Sequence, residues 1–161
     1  MMRRPSAMVT GAALSSVVAL GLVLPTSALG DAPKKTFTVT LAVTDGGVAV
    51  TGPLAPAHTY GFAFTLTNGA KSPQAFGSAH IAVPTGYQAD TPAVAAGPAT
   101  FHLVVSGSTL ALTNSGPTGS GVVPGSAITL TAHVTTPAAD ACQATPATWT
   151  TQVKQSNDFS G

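Results

Sequence analysis

The chain has 161 residues, of which 44% are hydrophobic and only 7% are charged, and its formal net charge at pH 7 is +1. After residue 30 it contains four lysines, five aspartates, no arginine and no glutamate, which gives a net charge of −1. This composition excludes a nucleic-acid-binding surface, which needs clustered Lys and Arg. It also disfavours long helices, whose exposed faces are filled with Glu, Lys and Arg. Frequent Gly and Pro with Thr and Val between them are typical of a β protein.

Residues 1–30 have the three parts of an export signal. Two arginines give a positive start, residues 9–24 are uncharged and mostly apolar, and the small residues Ala28 and Gly30 occupy the −3 and −1 positions of a cleavage point before Asp31. The alternative is an uncleaved anchor, but this apolar run of 16 residues is shorter than the roughly 20 that span a bilayer. We therefore expect a cleaved signal helix, a single secreted or cell-surface β-sandwich domain over 31–161, and no membrane span in the mature chain.

Apolar and polar residues then alternate with period two over several short segments, the pattern of strands with one buried face. The segments are 36–44, 48–50, 60–67, 79–83, 100–105, 109–113, 128–135 and 148–154. Turn residues at Asp45–Gly47 and Ser106–Ser108 predict two hairpins, and we expect loops over 89–98, 114–125 and 136–146. This spacing predicts an all-β fold, an antiparallel β-sandwich of about seven or eight strands.

Two parts of the chain resemble secreted bacterial immunoglobulin-like modules of the conserved-repeat or adhesin type. The first is Phe62–Asn68 followed by Ile81–Tyr87, which contains the pattern V-P-x-G. The second is Val123–Thr131, which contains P-G-x-x-h-T-h-T, where h is apolar. The similarity covers roughly residues 36–154. The resemblance implies an immunoglobulin-like, extracellular, non-catalytic module, often part of surface or adhesin-like proteins, and it carries over no functional residue.

Three histidines raise the question of a metal site. His80, His102 and His133 lie on the strand phase opposite the bulky apolar residues, so we expect them to face solvent. Three converging imidazoles could hold zinc, but these lie on separate predicted strands without H-x-H or H-x-x-x-H spacing. Asp45 and Asp90 likewise belong to no cluster of calcium ligands. We expect no metal ligand, no cofactor-binding residue and no cofactor.

The sequence also lacks a motif for covalent or acid–base catalysis. Nucleophilic catalysis needs a Ser or Cys beside a His and an orienting carboxylate. The run Gly119–Gly121 lacks the spacing of a Gly-x-Ser-x-Gly elbow. Five aspartates without a glutamate give no convincing carboxylate pair for glycoside hydrolysis. We therefore expect no catalytic residue and no enzymatic activity.

Aromatic residues decide whether the module could bind sugars. Trp149 shares its strand phase with Val153, so we expect it in the core, and Phe64 is expected in the core at the centre of the strongest alternation. Phe76 and Tyr87 lie in predicted loops and are the candidates for contacting a ligand. The alternative function is accordingly a carbohydrate-binding module of a secreted or cell-surface protein.

Cys142 is the single cysteine. In an exported protein it pairs with a cysteine further along a longer chain, stays a free thiol, or links to another chain, and the sequence leaves all three open. The leading function is a secreted, non-catalytic immunoglobulin-like module with a structural or surface-interaction role. A cell-wall component, a surface protein or a glycan are the partners that this location suggests, and the ligand itself is not defined by the sequence.

Overall fold

The computed structural model describes residues 35–139 and 147–160, and this part of the chain contains nine β-strands and no helix. The strands are β1 (Phe37–Asp45), β2 (Val48–Ala49), β3 (Thr59–Asn68), β4 (Ser78–Ala82), β5 (Gln88–Ala96), β6 (Phe101–Ser106), β7 (Thr109–Asn114), β8 (Ala127–Thr135) and β9 (Thr150–Lys154). The predicted signal segment 1–30 and Cys142 lie outside the described residues. Within those residues, no helix has the length and apolar character that a membrane crossing requires.

The strands form two antiparallel sheets. One has five strands in the order β2-β1-β3-β8-β5, and the other has four in the order β6-β7-β4-β9. All the strand pairs in both sheets are antiparallel. The prediction of an all-β antiparallel protein is therefore confirmed. Each predicted segment overlaps an observed strand, and β5 is an additional strand.

Apolar side chains from both sheets form one buried core. The alternation on β3 and β8 determines which side chains enter it, because successive residues of a strand point to opposite faces. The buried residues of these two strands are Tyr60, Phe62, Phe64, Leu66, Ile128, Leu130, Ala132 and Val134. From the four-stranded sheet, Ile81, Leu110 and Leu112 complete the centre of the core. The prediction that Phe64 is a core residue is confirmed, since its exposed fraction is 1%.

The prediction of a loop over 89–98 is wrong, because β5 occupies most of this segment and pairs with β8. Alanines and Pro92 obscure the alternation there. β5 lies at the edge of its sheet, where the missing N–H of a proline does not interrupt a ladder. A register shift between Asp90 and Ala93 accommodates the irregular stretch. Thr91 within it has a φ of 44°, which is unusual for a β-branched residue.

The two predicted hairpins are confirmed. Between β1 and β2, Gly46 and Gly47 have φ values of 55° and 87°, and a type I′ turn requires positive φ at both positions. Between β6 and β7, Gly107 has a φ of 57°. The predicted loop 114–125 lies between β7 and β8, and the predicted loop 136–146 falls partly outside the described residues.

We expect Phe64→Ala to lower the free energy of unfolding by about 3–5 kcal/mol, because it leaves a cavity in the centre of the core. The Phe64 ring centroid lies 5.2 Å from that of Trp149 and 6.2 Å from that of Phe62, so two aromatic contacts are lost with it. Denaturant titration measures the change. Val48→Ala is the control, since Val48 is 71% exposed and should change stability by no more than about 0.5 kcal/mol. A loss below about 1 kcal/mol for Phe64→Ala would contradict this assignment.

Candidate functional site

Polar side chains that are buried cluster at the ends of strands. The buried polar residues of the described chain are Asn68, Ser72, Ser78, Asn114 and Thr136. Four of them end, begin or directly follow a strand: Asn68 ends β3, Ser78 begins β4, Asn114 ends β7 and Thr136 follows β8. We call these four residues the strand-end anchors. A buried polar group is costly unless it is hydrogen-bonded, so the partners of each anchor show what it does.

Two asparagine anchors hold loops against the core. The Nδ2 of Asn68 donates hydrogen bonds to the carbonyl oxygens of Gln74 at 2.9 Å and Val122 at 2.8 Å, which ties two separate loops to the end of β3. The Oδ1 of Asn114 accepts a hydrogen bond from the backbone N–H of Gly116 at 2.9 Å. Both side chains therefore replace backbone partners that the loops lack.

The other two anchors act across long stretches of sequence. The hydroxyl of Thr136 donates to the carbonyl oxygen of Ala55 at 2.7 Å. The hydroxyl of Ser78 donates to the carbonyl oxygen of Ser156 at 2.6 Å and accepts the backbone N–H of Phe159 at 3.0 Å. The C-terminal turn is therefore fastened to the first residue of β4. Sequence reasoning missed all four anchors, because nothing in the local pattern distinguishes these residues from exposed turn residues.

The histidines lie on the outer side of the sheets, as the alternation predicts, but they are not equally exposed. His102 and His133 are exposed. His80 is half-buried because the ring of Phe159 stacks on it, with ring centroids 3.5 Å apart and an interplanar angle of 14°. The Nζ of Lys154 lies 4.8 Å from the centroid of the same Phe159 ring. This pairing depends on the path of the C-terminal turn, so the strand pattern alone does not reveal it.

Two exposed pairs of His and Asp lie at the five-stranded sheet, and His58 of the first pair directly precedes β3. His58 Nε2 is 3.1 Å from Asp45 Oδ2, and His133 Nδ1 is 3.9 Å from Asp90 Oδ1. Thr91 joins the second pair: its hydroxyl donates to Asp90 Oδ1 at 2.6 Å and lies 3.1 Å from His133 Nδ1.

This second group does not have the order that activates a nucleophile. The Thr91 hydroxyl gives its proton to a carboxylate, whereas a nucleophile gives its proton to the imidazole, which the carboxylate in turn orients. The side chains of His133 and Asp90 are 63% and 71% exposed, so water screens their interaction. Across the described ranges, no three His, Cys, Asp or Glu side chains converge on one point. The expectations of no metal and no catalysis stay predictions.

The aromatic candidates occupy different environments. Trp149 is buried, and its ring lies 5.3 Å from Phe62, so its predicted core position is confirmed. Phe76, the loop residue predicted as a candidate for contacting a ligand, is only 4% exposed, so its ring is not available to one. Its backbone pairs with that of Val122, and this isolated bridge draws it into the core. Tyr87 is half-buried and packs edge-on against Trp149 at a centroid distance of 6.0 Å.

The C-terminal turn carries the one clear electrostatic effect among the described residues. The hydroxyl of Ser160 and its backbone N–H both donate hydrogen bonds to the Asp158 carboxylate. These bonds, the hydroxyl's most strongly, lower the pKa of Asp158 below its ordinary value. A lowered folded-state pKa contributes stability above the unfolded-state pKa, and this contribution disappears as the pH falls through the folded-state pKa. The carboxylate thus helps to shape the turn that covers His80.

A scan against protein-family models matches no family, and a search of the curated proteins finds no matching protein. The chain combines a packed two-sheet core, four strand-end anchors that hold loops, and small polar groups on the outer faces.

We expect Ser78→Ala to destabilise the protein by about 1–3 kcal/mol, because it leaves the Phe159 N–H and the Ser156 carbonyl without their partner. Amide hydrogen exchange at Phe159 should accelerate, since the C-terminal turn loses its attachment to β4. Ser108→Ala is the matched control, because Ser108 is exposed in the β6–β7 turn. Unchanged exchange at Phe159 would show that the turn is held by other contacts.

Proposed function

We propose that this chain is an exported, non-catalytic immunoglobulin-like module with a structural or surface-interaction role. The observation that carries the proposal is the hydrogen bonding of the strand-end anchors. Each of these four buried side chains binds the backbone of a loop. Such a scaffold holds its loops in fixed positions, which lowers the entropy cost of presenting them to a partner.

The two stretches that resemble immunoglobulin-like modules support the same proposal. β4 ends at Ala82, and the V-P-x-G residues follow it as the turn toward β5. β8 begins at Ala127, and only Ser126 separates it from the Pro124–Gly125 dipeptide. Both patterns therefore coincide with strand boundaries in this chain. The three-part segment 1–30 supports export to the medium or the cell surface, where a surface protein, the cell wall or a glycan would be the partner.

The carbohydrate-binding alternative has less support. A sugar platform needs exposed aromatic rings, and Phe76 and Trp149 are both buried. Tyr87 is half-buried against Trp149 and presents only part of its ring.

The export proposal predicts a mature protein that starts at Asp31. Intact-mass measurement of the protein recovered outside the cytoplasm should give the mass of residues 31–161. Leu20→Arg is the control, because a charge inside the apolar run should block export and leave the full chain in the cell. An exported protein whose mass still includes residues 1–30 would contradict cleavage at this point.

If the chain is not a carbohydrate-binding module, we expect no saturable binding to a glycan array that depends on the ring of Tyr87. The fluorescence of Trp149 should also be unchanged by added sugars, because its ring is enclosed by Phe62, Phe64 and Tyr87. Tyr87→Ala distinguishes the alternative, since it removes the remaining ring of the two loop candidates. Saturable glycan binding that Tyr87→Ala abolishes would replace this proposal with a carbohydrate-binding module.

A further inference from the structure

Asn68 is followed directly by Gly69, and an asparagine in this dipeptide reacts more readily with its own backbone than in any other. The backbone nitrogen of the glycine attacks the side-chain amide carbon, because glycine has no Cβ to hinder the approach and its backbone is the least restricted. The other two asparagines of the chain, Asn114 and Asn157, precede a serine and an aspartate. Asn68 is therefore the asparagine whose sequence context favours this reaction.

The fold requires both members of this dipeptide. Asn68 is 2% exposed, and its Nδ2 donates to the carbonyl oxygens of Gln74 and Val122. Gly69 lies so close to Thr36 that a Cβ on Gly69 would collide with the Thr36 hydroxyl oxygen. A larger residue after Asn68 would hinder the reaction, but the contact with Thr36 leaves no space for one. The reactive dipeptide is thus built into the junction at which β3 ends.

The hydrogen bonds that hold this junction also oppose the reaction in the folded protein. The attacking group is the Gly69 backbone nitrogen, whose N–H donates to the carbonyl oxygen of Thr36 at 2.9 Å. The leaving group is Nδ2 of Asn68, which two carbonyl oxygens hold at 2.9 and 2.8 Å. The backbone N–H and C=O of Asn68 bond to Ser126 and Gly125, both at 2.9 Å. The nitrogen is therefore kept from Cγ of Asn68 until these bonds break.

We propose that Asn68–Gly69 is a deamidation site that the native fold keeps closed and that reacts when this junction opens. The Gly69 nitrogen then forms a bond to Cγ of Asn68, and the bond from Cγ to Nδ2 breaks. The proton of the Gly69 nitrogen leaves with Nδ2 as ammonia, and a cyclic succinimide remains. Water opens this ring at either of its two carbonyl carbons, which gives aspartate or isoaspartate at position 68.

The product prevents the junction from closing again. A carboxylate has no N–H to donate, so it places a negative charge against the carbonyl oxygens of Gln74 and Val122, and burying an unpaired charge is costly. Isoaspartate also adds a methylene to the main chain, which displaces the backbone groups that bond to Ser126 and Gly125. Deamidation thus turns a transient opening at the end of β3 into a permanent loss of this anchor.

Peptide mapping by mass spectrometry tests the site on the purified chain, held in one mildly alkaline buffer with and without guanidinium chloride. The unfolded chain should deamidate several-fold faster at Asn68 than at Asn114 or Asn157. In the folded chain, Asn68 should react at least about tenfold more slowly than in the unfolded chain, because only opened molecules react. Equal rates at Asn68 in the folded and unfolded chains would overturn the inference.

Gly69→Ala is the matched control in guanidinium chloride, where the fold plays no part. The added methyl group hinders the attacking nitrogen, so deamidation at Asn68 should slow several-fold. An unchanged rate in this variant, or an unfolded wild-type chain that reacts no faster at Asn68 than at Asn114, would also overturn the inference.

Asn68→Asp tests whether the product destabilises the fold. At neutral pH this variant should unfold at a lower denaturant concentration than the wild type. The difference should shrink in acid, because the protonated carboxyl donates to one of the two carbonyl oxygens, so the folded state binds the proton more strongly than the unfolded state. Gln88→Glu adds the same charge at an exposed position of β5 and is the matched control.

An Asn68→Asp variant as stable as Gln88→Glu at neutral pH would overturn the claim that the change is permanent. A deficit of Asn68→Asp that is the same in acid would show that charge against the carbonyl groups is not its cause, and would overturn that step. The rate comparison uses the wild-type chain, so it decides the inference even where Asn68→Asp does not fold.

Discussion

The pairing of β3 with β8 is the constraint on which the rest of the structure depends. The two strands run antiparallel from the pair Thr59–Thr135 to the pair Thr67–Ala127, with Phe64 opposite Leu130. Because side chains alternate between faces, a slip of one residue would expose the entire apolar set. The register therefore determines the core, and through β1 and β5 on either side it determines the five-stranded sheet. The four-stranded sheet covers the same apolar face, with Trp149 packed against Phe62 and Phe64.

The strand-end anchors extend this order to the loops. Asn68 is the last residue of β3, so the register that buries Phe64 also places its side chain between the carbonyl groups of Gln74 and Val122. Val122 in turn pairs with Phe76, which brings that ring into the core. One strand thus positions a loop that lies more than fifty residues away in the sequence. The loops are parts of the packed structure, as the proposed role of presenting them to a partner requires.

Local patterns predict this fold well wherever bulky apolar residues alternate. They identify β3, β8 and the β6–β7 hairpin, and the burial of Phe64 and Trp149. They fail for β5, because alanines and Pro92 give no apolar alternation there. β5 is a strand because it pairs with β8. The candidate site is less predictable, since the burial of Phe76 and the stacking of Phe159 on His80 depend on contacts between distant segments.

The low charge of the chain affects both the polarity of its outer faces and the protection of its sheet edges. The outer face of the five-stranded sheet obtains its polarity from threonine hydroxyls, which pair across strands, as Thr59 with Thr135 at 2.7 Å and Thr65 with Thr129 at 3.1 Å. Such pairs keep a surface polar without the long charged side chains that repel a second copy. Protection against unwanted pairing must then come from the shape of the edges, as the short β2 and the irregular β5 provide.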